Sequence, residues 1–467
     1  MANVYLRAAI VFVTFFLLRI PILHSAVITV NTDEDVISSI DLQCPLREAI
    51  ISANTDPFGV IIAPPGECAP GDGDDDIIFD PSIDGLPLLT LIAGTDEDAA
   101  ATGDLDIADN LTITGNGPDN TIVDGNFLDR VFHIIGPGTT VIMTGLSITR
   151  GFLGEASRAG IFNGGVLTLD TVNINSNFVT GATSAATGGG ITNIGTLDIT
   201  DTAIDGNQAD RGGAIFTNNT LTISSSSVLN NTARAGGGIT NFGDVMITNS
   251  TFSGNEATNS GGAIANSVAG LSIGVVDILN STIAQNTAPN TLGGGILNSG
   301  TLSVQNTILA NNTGGDCGLF APIVSEGNNL DSDGTCALTE LTDVSNTDPM
   351  LDNLGFNGGS TPSHALMPGS PAIDAGGNLS CPPLDQRGIT RPQDGLGEGF
   401  PVCDIGALEM LIAELITPVA GGTGGAAGGC ALAQPSQSST YFPLYLLIPA
   451  FMFWRRLRRG NTNRGNT

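Results

Sequence analysis

The sequence predicts an all-β fold, a single-stranded parallel β-helix (solenoid) in which one chain winds coil upon coil about a common axis. Three observations carry that prediction. Gly-led units recur about every 24 residues, apolar residues return at fixed offsets inside each unit, and Asn returns at two further offsets. The clearest units are GGGITNIGTLDITDTAIDGNQADR (188–211), GGAIFTNNTLTISSSSVLNNTARA (212–235) and GGGITNFGDVMITNSTFSGNEATNS (236–260). Taking the apolar residue after the Gly pair as the anchor gives Ile161, Ile191, Ile215, Ile239, Ile264 and Ile296, spaced by 30, 24, 24, 25 and 32 residues.

The strands follow from the offsets. Six residues after the anchor stand Leu167, Leu197, Leu221, Val245 and Leu302, and eight after it Leu169, Ile199, Ile223, Ile247 and Val304. This alternation marks a short strand with one face buried. Thirteen after the anchor come Ile174, Ile204, Val228, Phe252 and Leu309, a further inward position. Runs this short, rich in Ile and Val and punctuated by Gly and Asn, do not make helices. Two residues after the anchor come Asn163, Asn193, Asn241, Asn266 and Asn298, with Thr217 as the exception; sixteen after it come Asn177, Asn207, Asn231, Asn255 and Asn312. An amide repeated at one corner can donate to the next coil and so satisfy itself along the stack. Asn also tolerates the left-handed turn that a corner requires. The segments LDIADNLTITGNG (105–117), NTIVDGN (120–126) and TTVIMTGLSITRG (139–151) read as irregular coils of the same body, which places the β-helix at 105–345 between terminal caps.

Composition excludes several function classes. All fifteen basic residues of the 467 are Arg, and seven of them lie in the two terminal segments. Residues 27–430 therefore hold eight Arg against all 46 Asp and Glu, a charge of −38, which repels nucleic acid and anionic lipid. The same span contains no Trp and no Tyr, the side chains on which sugar rings usually stack.

The two ends read as addresses. Residues 1–26 have an early Arg7, an apolar run and a Ser25-Ala26 exit, the pattern of a signal peptide cleaved after Ala26, with an uncleaved anchor as the alternative. At the other end a Gly-rich linker, 411–440, contains Gly429 and Cys430; a short apolar transmembrane segment with an Arg cluster follows at 441–459, and the tail is 460–467. The Arg cluster would stay on the cytoplasmic side and leave the acidic body outside. This order is similar to the tripartite C-terminal sorting signals of Gram-negative surface proteins. That resemblance implies cell-surface or outer-membrane anchoring, and it implies processing by a sorting protease or lipid attachment at Cys430. A plain tail anchor with an incidental Cys is the alternative.

Setting Cys430 aside leaves six Cys in sequence-local pairs, Cys44/Cys68, Cys317/Cys336 and Cys381/Cys403. Six Cys allow 15 connectivities, so local pairing is a preference. Export favours disulfides, and none of the six has metal-ligand spacing.

Further resemblances rest on particular motifs. GGAI at 212–215 and 261–264, with FTNN (216–219) and FSGN (252–255), is similar to the repeats of polymorphic outer-membrane proteins. CPLREAI at 44–50 resembles the CSLREA motif of secreted bacterial proteins, with Pro45 in place of Ser, and marks 27–104 as an N-terminal cap. The run DPMLDNLGFNGGSTPSHALMPGSPAIDAG, then DQRGITRP, then CDIGALE, resembles the choice-of-anchor Q domain and marks a terminal block at 346–410. These resemblances imply a right-handed, pectate-lyase-like β-helix at the cell surface and no established chemistry.

A lyase of this shape needs a Ca²⁺ site and an Arg or Lys base, for which Arg130, Arg150, Arg158, Arg211 and Arg234 are candidates. Solvated corner charges pairing with Asp201, Asp205 or Asp210 are the favoured reading. A hydrolase needs two facing carboxylates; Asp198, Asp201 and Asp205 form no repeated pair. His364 reads as packing or capping, and His133 has no assigned role. GDGDDDIIFD (71–80) begins like a calcium loop with Asp72, Asp74 and Asp76 but has Ile77 where Gly is needed, and DSDG (331–334) is similarly incomplete. Arg387 and Arg391 read as internal ion pairs near Asp385 and Asp394. The expectation is an exported, surface-anchored structural or adhesive protein without catalytic, metal or cofactor residues, whose glycan or protein ligand is unspecified. The alternative is a polysaccharide lyase or glycoside hydrolase acting along the rod, and a third reading is a stalk stabilised by Ca²⁺ at the acidic loops.

Overall fold

One coil shows how the chain winds. Ile191–Asn193 forms a three-residue strand, Gly195 turns the backbone, and Thr196–Thr200 forms the five-residue strand of the next side. Asp201 and Thr202 turn it again into Ala203–Asp205, and a return run brings the chain to Ile215–Thr217, one coil further on. Every strand pairs in parallel with its counterpart: Ile191 with Ile215, Leu197 with Leu221, Ile204 with Val228. A computed structural model describes residues 25–38, 42–55, 68–88, 98–154, 160–180, 186–270, 272–289 and 291–412. Among them the coils stack into a first sheet of eleven strands, a second of eleven and a third of nine. A right-handed winding is the sense that strand–crossover–parallel strand connections adopt. Eleven strands about 4.8 Å apart give a stack of roughly 50 Å.

The core is a set of rungs. The predicted inward residues Leu197, Ile199, Leu221, Ile223, Leu302 and Val304 are fully buried, and Ile204, Val228, Phe252 and Leu309 form the second sheet's rung. After Ile264 the rungs continue in Val276, Ile278 and Ile283, shifted by six residues. An antiparallel hairpin, Val268–Ala269 with Ser272–Ile273, accounts for that shift.

Two amide ladders run through the stack. On the first, Asn163 donates to Asn193 at 2.8 Å, Asn193 to the Thr217 hydroxyl at 3.1 Å, Asn241 to Asn266 at 3.0 Å and Asn266 to Asn298 at 2.9 Å. The second is unbroken: Asn177, Asn207, Asn231, Asn255, Asn286 and Asn312 each pass a side-chain N–H to the next member. Every donor points the same way, so the last member must be a pure acceptor, and Asn312 ends on the Asp316 carboxylate at 2.9 Å. The left-handed turn falls elsewhere than expected. It belongs to the residue just before each ladder Asn: Ser176, Gly206, Asn230, Gly254, Gln285 and Asn311, with φ between 50° and 69°. At the opposite corner Gly212 has φ 64°, and a Cβ there would lie 2.1 Å from the Ile215 carbonyl oxygen.

The ends differ from the predicted caps. Winding begins before residue 105, because Val27–Val30 pairs with Asp75–Phe79, which pairs with Leu111–Thr114 in the first sheet. The LREA segment forms the helix Leu46–Asn54. Its Arg47 is buried, holds Asp35 at 2.7 and 3.0 Å, and donates to the carbonyls of Ala100, Gly103 and Asp104. The block after residue 346 does not sit over an end. It lies lengthwise against the outer face of the second sheet, with Ser360 on Asp201, Thr361 on Ser225, Gln386 on Ser227 and Thr251, and Asn328 on Ala375. Leu366, Ala372, Ile373, Ile405 and Met410 close a second small core there with Ile308, Ala310 and Leu330.

Three disulfides join Cys44 to Cys68, Cys317 to Cys336 and Cys381 to Cys403, so the sequence-local pairing stands. Most of the signal peptide, Gly429, Cys430 and the segments 441–459 and 460–467 lie outside the described residues. Among the described residues no helix is long and apolar enough to cross a membrane.

Candidate functional site

One group of chemically able side chains lies on the outer face of the third sheet, at its first coils. Leu105–Ile107, Phe132–Ile134 and Ile161–Asn163 pair there in parallel, so Asp106, His133 and Phe162 form one outward row between two inward apolar rows. The His133 Nδ1 stands 3.0 Å from Asp106 Oδ1 and 3.6 Å from Asp98 Oδ1. Its ring stacks on Phe162 with centroids 5.0 Å apart. Arg130 lies over the same phenyl ring at 5.8 Å and is ion-paired to Asp104. Asp104 is fully buried, and burial, the largest influence, pushes its carboxyl up to about 6 even with Arg130 beside it. Its Oδ1 has no hydrogen-bond partner among the described residues. The Ala100 N–H donates to Asp106 Oδ2 at 3.0 Å, and Arg47 grips the carbonyls of that loop, so the loop is fixed from two sides.

Sequence reasoning missed this group except for His133 and Arg130. The coil that carries it has Phe132 in the anchor place without the Gly pair that revealed later coils. The usable signal was Asp104 and Asp106 at alternate positions before a strand.

The other candidates disperse. Arg150 is ion-paired to Asp124, and Arg234 holds Asp210 through two bonds of 2.8 and 3.1 Å. That second pair lines an open groove of about 290 Å³ with Gln208, Thr232 and Thr258. Arg158 lies outside the described residues, and Arg211 makes no ion pair among them. Asp198 faces outward from the first sheet, Asp201 meets Ser360, and Asp205 accepts from Asn230, so the three share no cleft. Burial raises the carboxyls of Asp201 and Asp205.

Neither calcium-loop candidate gathers ligands in the predicted way. Residues 75–79 form a strand, Asp74 takes the Asn110 amide and Asp76 takes the Ser25 hydroxyl. Asp316, Asp331 and Asp333 do come together, yet their oxygens are engaged by Asn312, Ser332, Gly334, Cys336 and Thr335. They close the amide ladder and the last turns.

His364 Nε2 accepts from the Ser253 hydroxyl at 2.9 Å, and Nδ1 donates to the Asp352 carbonyl. Both side chains are buried, and desolvation holds the imidazole below its usual pKa. The pair fastens the terminal block to the coils, in line with a packing role. Arg387 pairs with Asp385 as expected, whereas Arg391 pairs with Glu409 at 3.2 Å; Asp394 instead accepts the backbone N–H groups of Glu398 and Gly399.

No family model matches the chain, and no curated protein matches it. Among solved structures it is similar to the crystal structure of pectate lyase Pel9A, at 13% identity and a TM-score of 0.42, over 83% of this chain and 97% of that one.

Proposed function

We propose that the protein is an exported β-helix scaffold that is anchored at the cell surface and acts in structure or adhesion. The observation that carries this reading is the engagement of its cations. Arg130, Arg150, Arg234, Arg387 and Arg391 each hold a carboxylate, which removes them as the free base that β-elimination needs. Three disulfides suit an oxidising compartment. The resemblances at CPLREAI and at 346–410, and the order of linker, Cys430, apolar segment and Arg cluster, support surface display through the C-terminus. The outer face of the first sheet offers a long contact surface. Its middle row reads Thr112, Ile142, Thr168, Asp198, Thr222, Met246, Asp277 and Ser303, with Ile142, Met246 and Asp277 exposed.

Two measurements test the proposal. Protease added to intact cells that express the full chain should remove the body, and mass spectrometry should find a mature N-terminus near Ala26 and a change at Cys430. The purified protein should release neither unsaturated nor reducing ends from acidic and neutral glycans. Release that is lost in Arg211→Ala would overturn the reading in favour of a lyase.

A further inference from the structure

Asp98 Oδ1, Asp106 Oδ1 and His133 Nδ1 lie within 4.8 Å of one another on the outer face of the third sheet. The nitrogen is 3.0 Å from one carboxylate oxygen and 3.6 Å from the other. In a tetrahedral shell with bonds of about 2.0–2.2 Å, neighbouring ligand atoms stand about 3.3–3.6 Å apart. The two separations from the nitrogen, 3.0 and 3.6 Å, therefore lie within roughly a few tenths of an ångström of that spacing, and the two carboxylate oxygens stand less than 4.8 Å apart. Asp106 is fully buried, the His133 side chain is 13% exposed and that of Asp98 is 73% exposed, so the group is open on one side only.

A second observation lies beside the group, where Asp106 bears electrostatically on Asp104. Asp104 is fully buried two residues from Asp106, and its Oδ1 is unpaired among the described residues. Buried carboxylate oxygens are rarely left so. A water held by a cation is the kind of donor this oxygen lacks.

We propose that Asp98, Asp106 and His133 form a binding site for a divalent transition-metal ion, with Zn²⁺ the best-suited ion. An imidazole nitrogen beside two carboxylates selects that class over Ca²⁺ or Mg²⁺, which take oxygen shells. The site is built before the metal arrives. Phe162 sets the plane of the imidazole, the Ala100 N–H orients Asp106, and Arg47 holds the loop that leads from Asp98 to Asp104. The proposal does not depend on the scaffold reading, because a scaffold and an enzyme could each carry such an ion.

Zn²⁺ titrated calorimetrically into the metal-free, disulfide-intact protein should bind at one equivalent, and Co²⁺ should give visible d–d absorption. Asp98→Asn changes an exposed side chain and leaves folding intact; it should weaken Zn²⁺ by 10-fold or more and abolish the Co²⁺ spectrum. His133→Gln should do the same while the metal-free melting temperature of Asp98→Asn stays at the wild-type value. Absence of stoichiometric Zn²⁺ binding, or binding unchanged in Asp98→Asn, overturns the site. Displacement of Zn²⁺ by an equal concentration of Ca²⁺ overturns the assignment of ion class.

Discussion

The coils between residues 188 and 313 and the block between 346 and 412 bury polar groups by opposite means. The coils bury neutral amides, with Asn207, Asn231, Asn255 and Asn286 at 0–1% exposure, each bonded to its own equivalent one coil away. The block buries an ion pair with further carboxyls around it: Arg391 and Glu409, with Asp385 and Asp404 beside them, lie at 0–8% exposure. Translation explains the difference. An Asn that both donates and accepts can be satisfied by a copy of itself shifted along the axis. A segment that does not repeat has no copy to bond to, and must set cation against anion.

The largest effect should come from breaking the charged arrangement. Arg391 touches Glu409 Oε2, the Asp404 and Gly406 carbonyls and the Cys403 sulfur. Arg391→Leu leaves Glu409 buried without the cation it pairs with, at a cost of about 3–5 kcal/mol. Urea unfolding monitored by intrinsic β-sheet ellipticity measures it; a loss below about 1 kcal/mol would mean that the block is not held by charge. The next effect strikes the ladder. Asn231 Nδ2 donates to the Ile204 carbonyl at 2.9 Å and to Asn255 Oδ1 at 3.0 Å. Asn231→Asp would set a carboxylate against two acceptors and cost about 2–4 kcal/mol at neutral pH, with part of the loss recovered near pH 4 as the carboxyl protonates. Equal stability of this variant and the wild type would show that the ladder is incidental.

The contrast also explains what was legible in the sequence. Leu197, Leu221, Asn193 and Asn207 were found because repetition writes the same physical demand several times at one spacing. Val276, Ile283 and Asn286 were missed because a six-residue hairpin displaced them from the count. Asp316 stands 20 residues after Ile296, where ladder counting stops, although an acceptor-only end was required by the direction of the donors. The lengthwise seat of the terminal block was illegible for the same reason that it needs charges: Ser360, Thr361 and His364 meet Asp201, Ser225 and Ser253 on three successive coils, and no period announces them. The group at Asp104, Asp106 and His133 depends on tertiary proximity across 27 residues or more, without a motif to mark it.

A pH titration sharpens the comparison. Burial, and secondarily Glu409, pushes the Asp404 carboxyl up to about 8. In the unfolded chain it ionises near its ordinary value of 3.8, so between those limits the native state holds a proton that the unfolded state releases. Stability should therefore fall as pH rises through this window, and the loss is complete above about 8. Asp104 and Asp331, both raised by burial to about 6, act with the same sign but finish earlier. His364 acts oppositely below its ordinary 6.5, where the unfolded chain takes up a proton the buried ring refuses. The interval from about pH 7 to 9 thus isolates the block. Midpoints should decline across it in the wild type and stay level in Asp404→Asn, whose absolute stability is lower because its amide faces the Asp374 or Met410 N–H. A level wild-type profile would place Asp404 outside the buried network.

The smallest effect concerns the one gap in the first ladder. Thr217 accepts from Asn193 but donates within its own turn, to the Asn219 carbonyl at 3.1 Å, so the chain of amides stops before Asn241. Four of the five coils that keep Asn at this corner have Gly two residues later, at Gly165, Gly195, Gly243 and Gly300, and each of those N–H groups bonds the Asn side chain; after Asn266 the hairpin intervenes, with Val268 at that place. A Cβ on Gly195 would lie 2.0 Å from the Gly165 carbonyl oxygen, so the full ladder needs glycine for close approach of neighbouring turns. Asn219 does carry a Cβ, and the shorter Thr217 goes with it. Thr217→Asn alone should therefore gain nothing. In an Asn219→Gly background it should gain about 1 kcal/mol, the net worth of one buried hydrogen bond. The glycine itself costs about 0.5–1 kcal/mol in backbone entropy, so total stability hardly moves and the double-mutant coupling is the quantity to measure. A coupling of zero would mean that the two positions are chosen independently, and that the regularity of the ladder does not extend to the turn beside it.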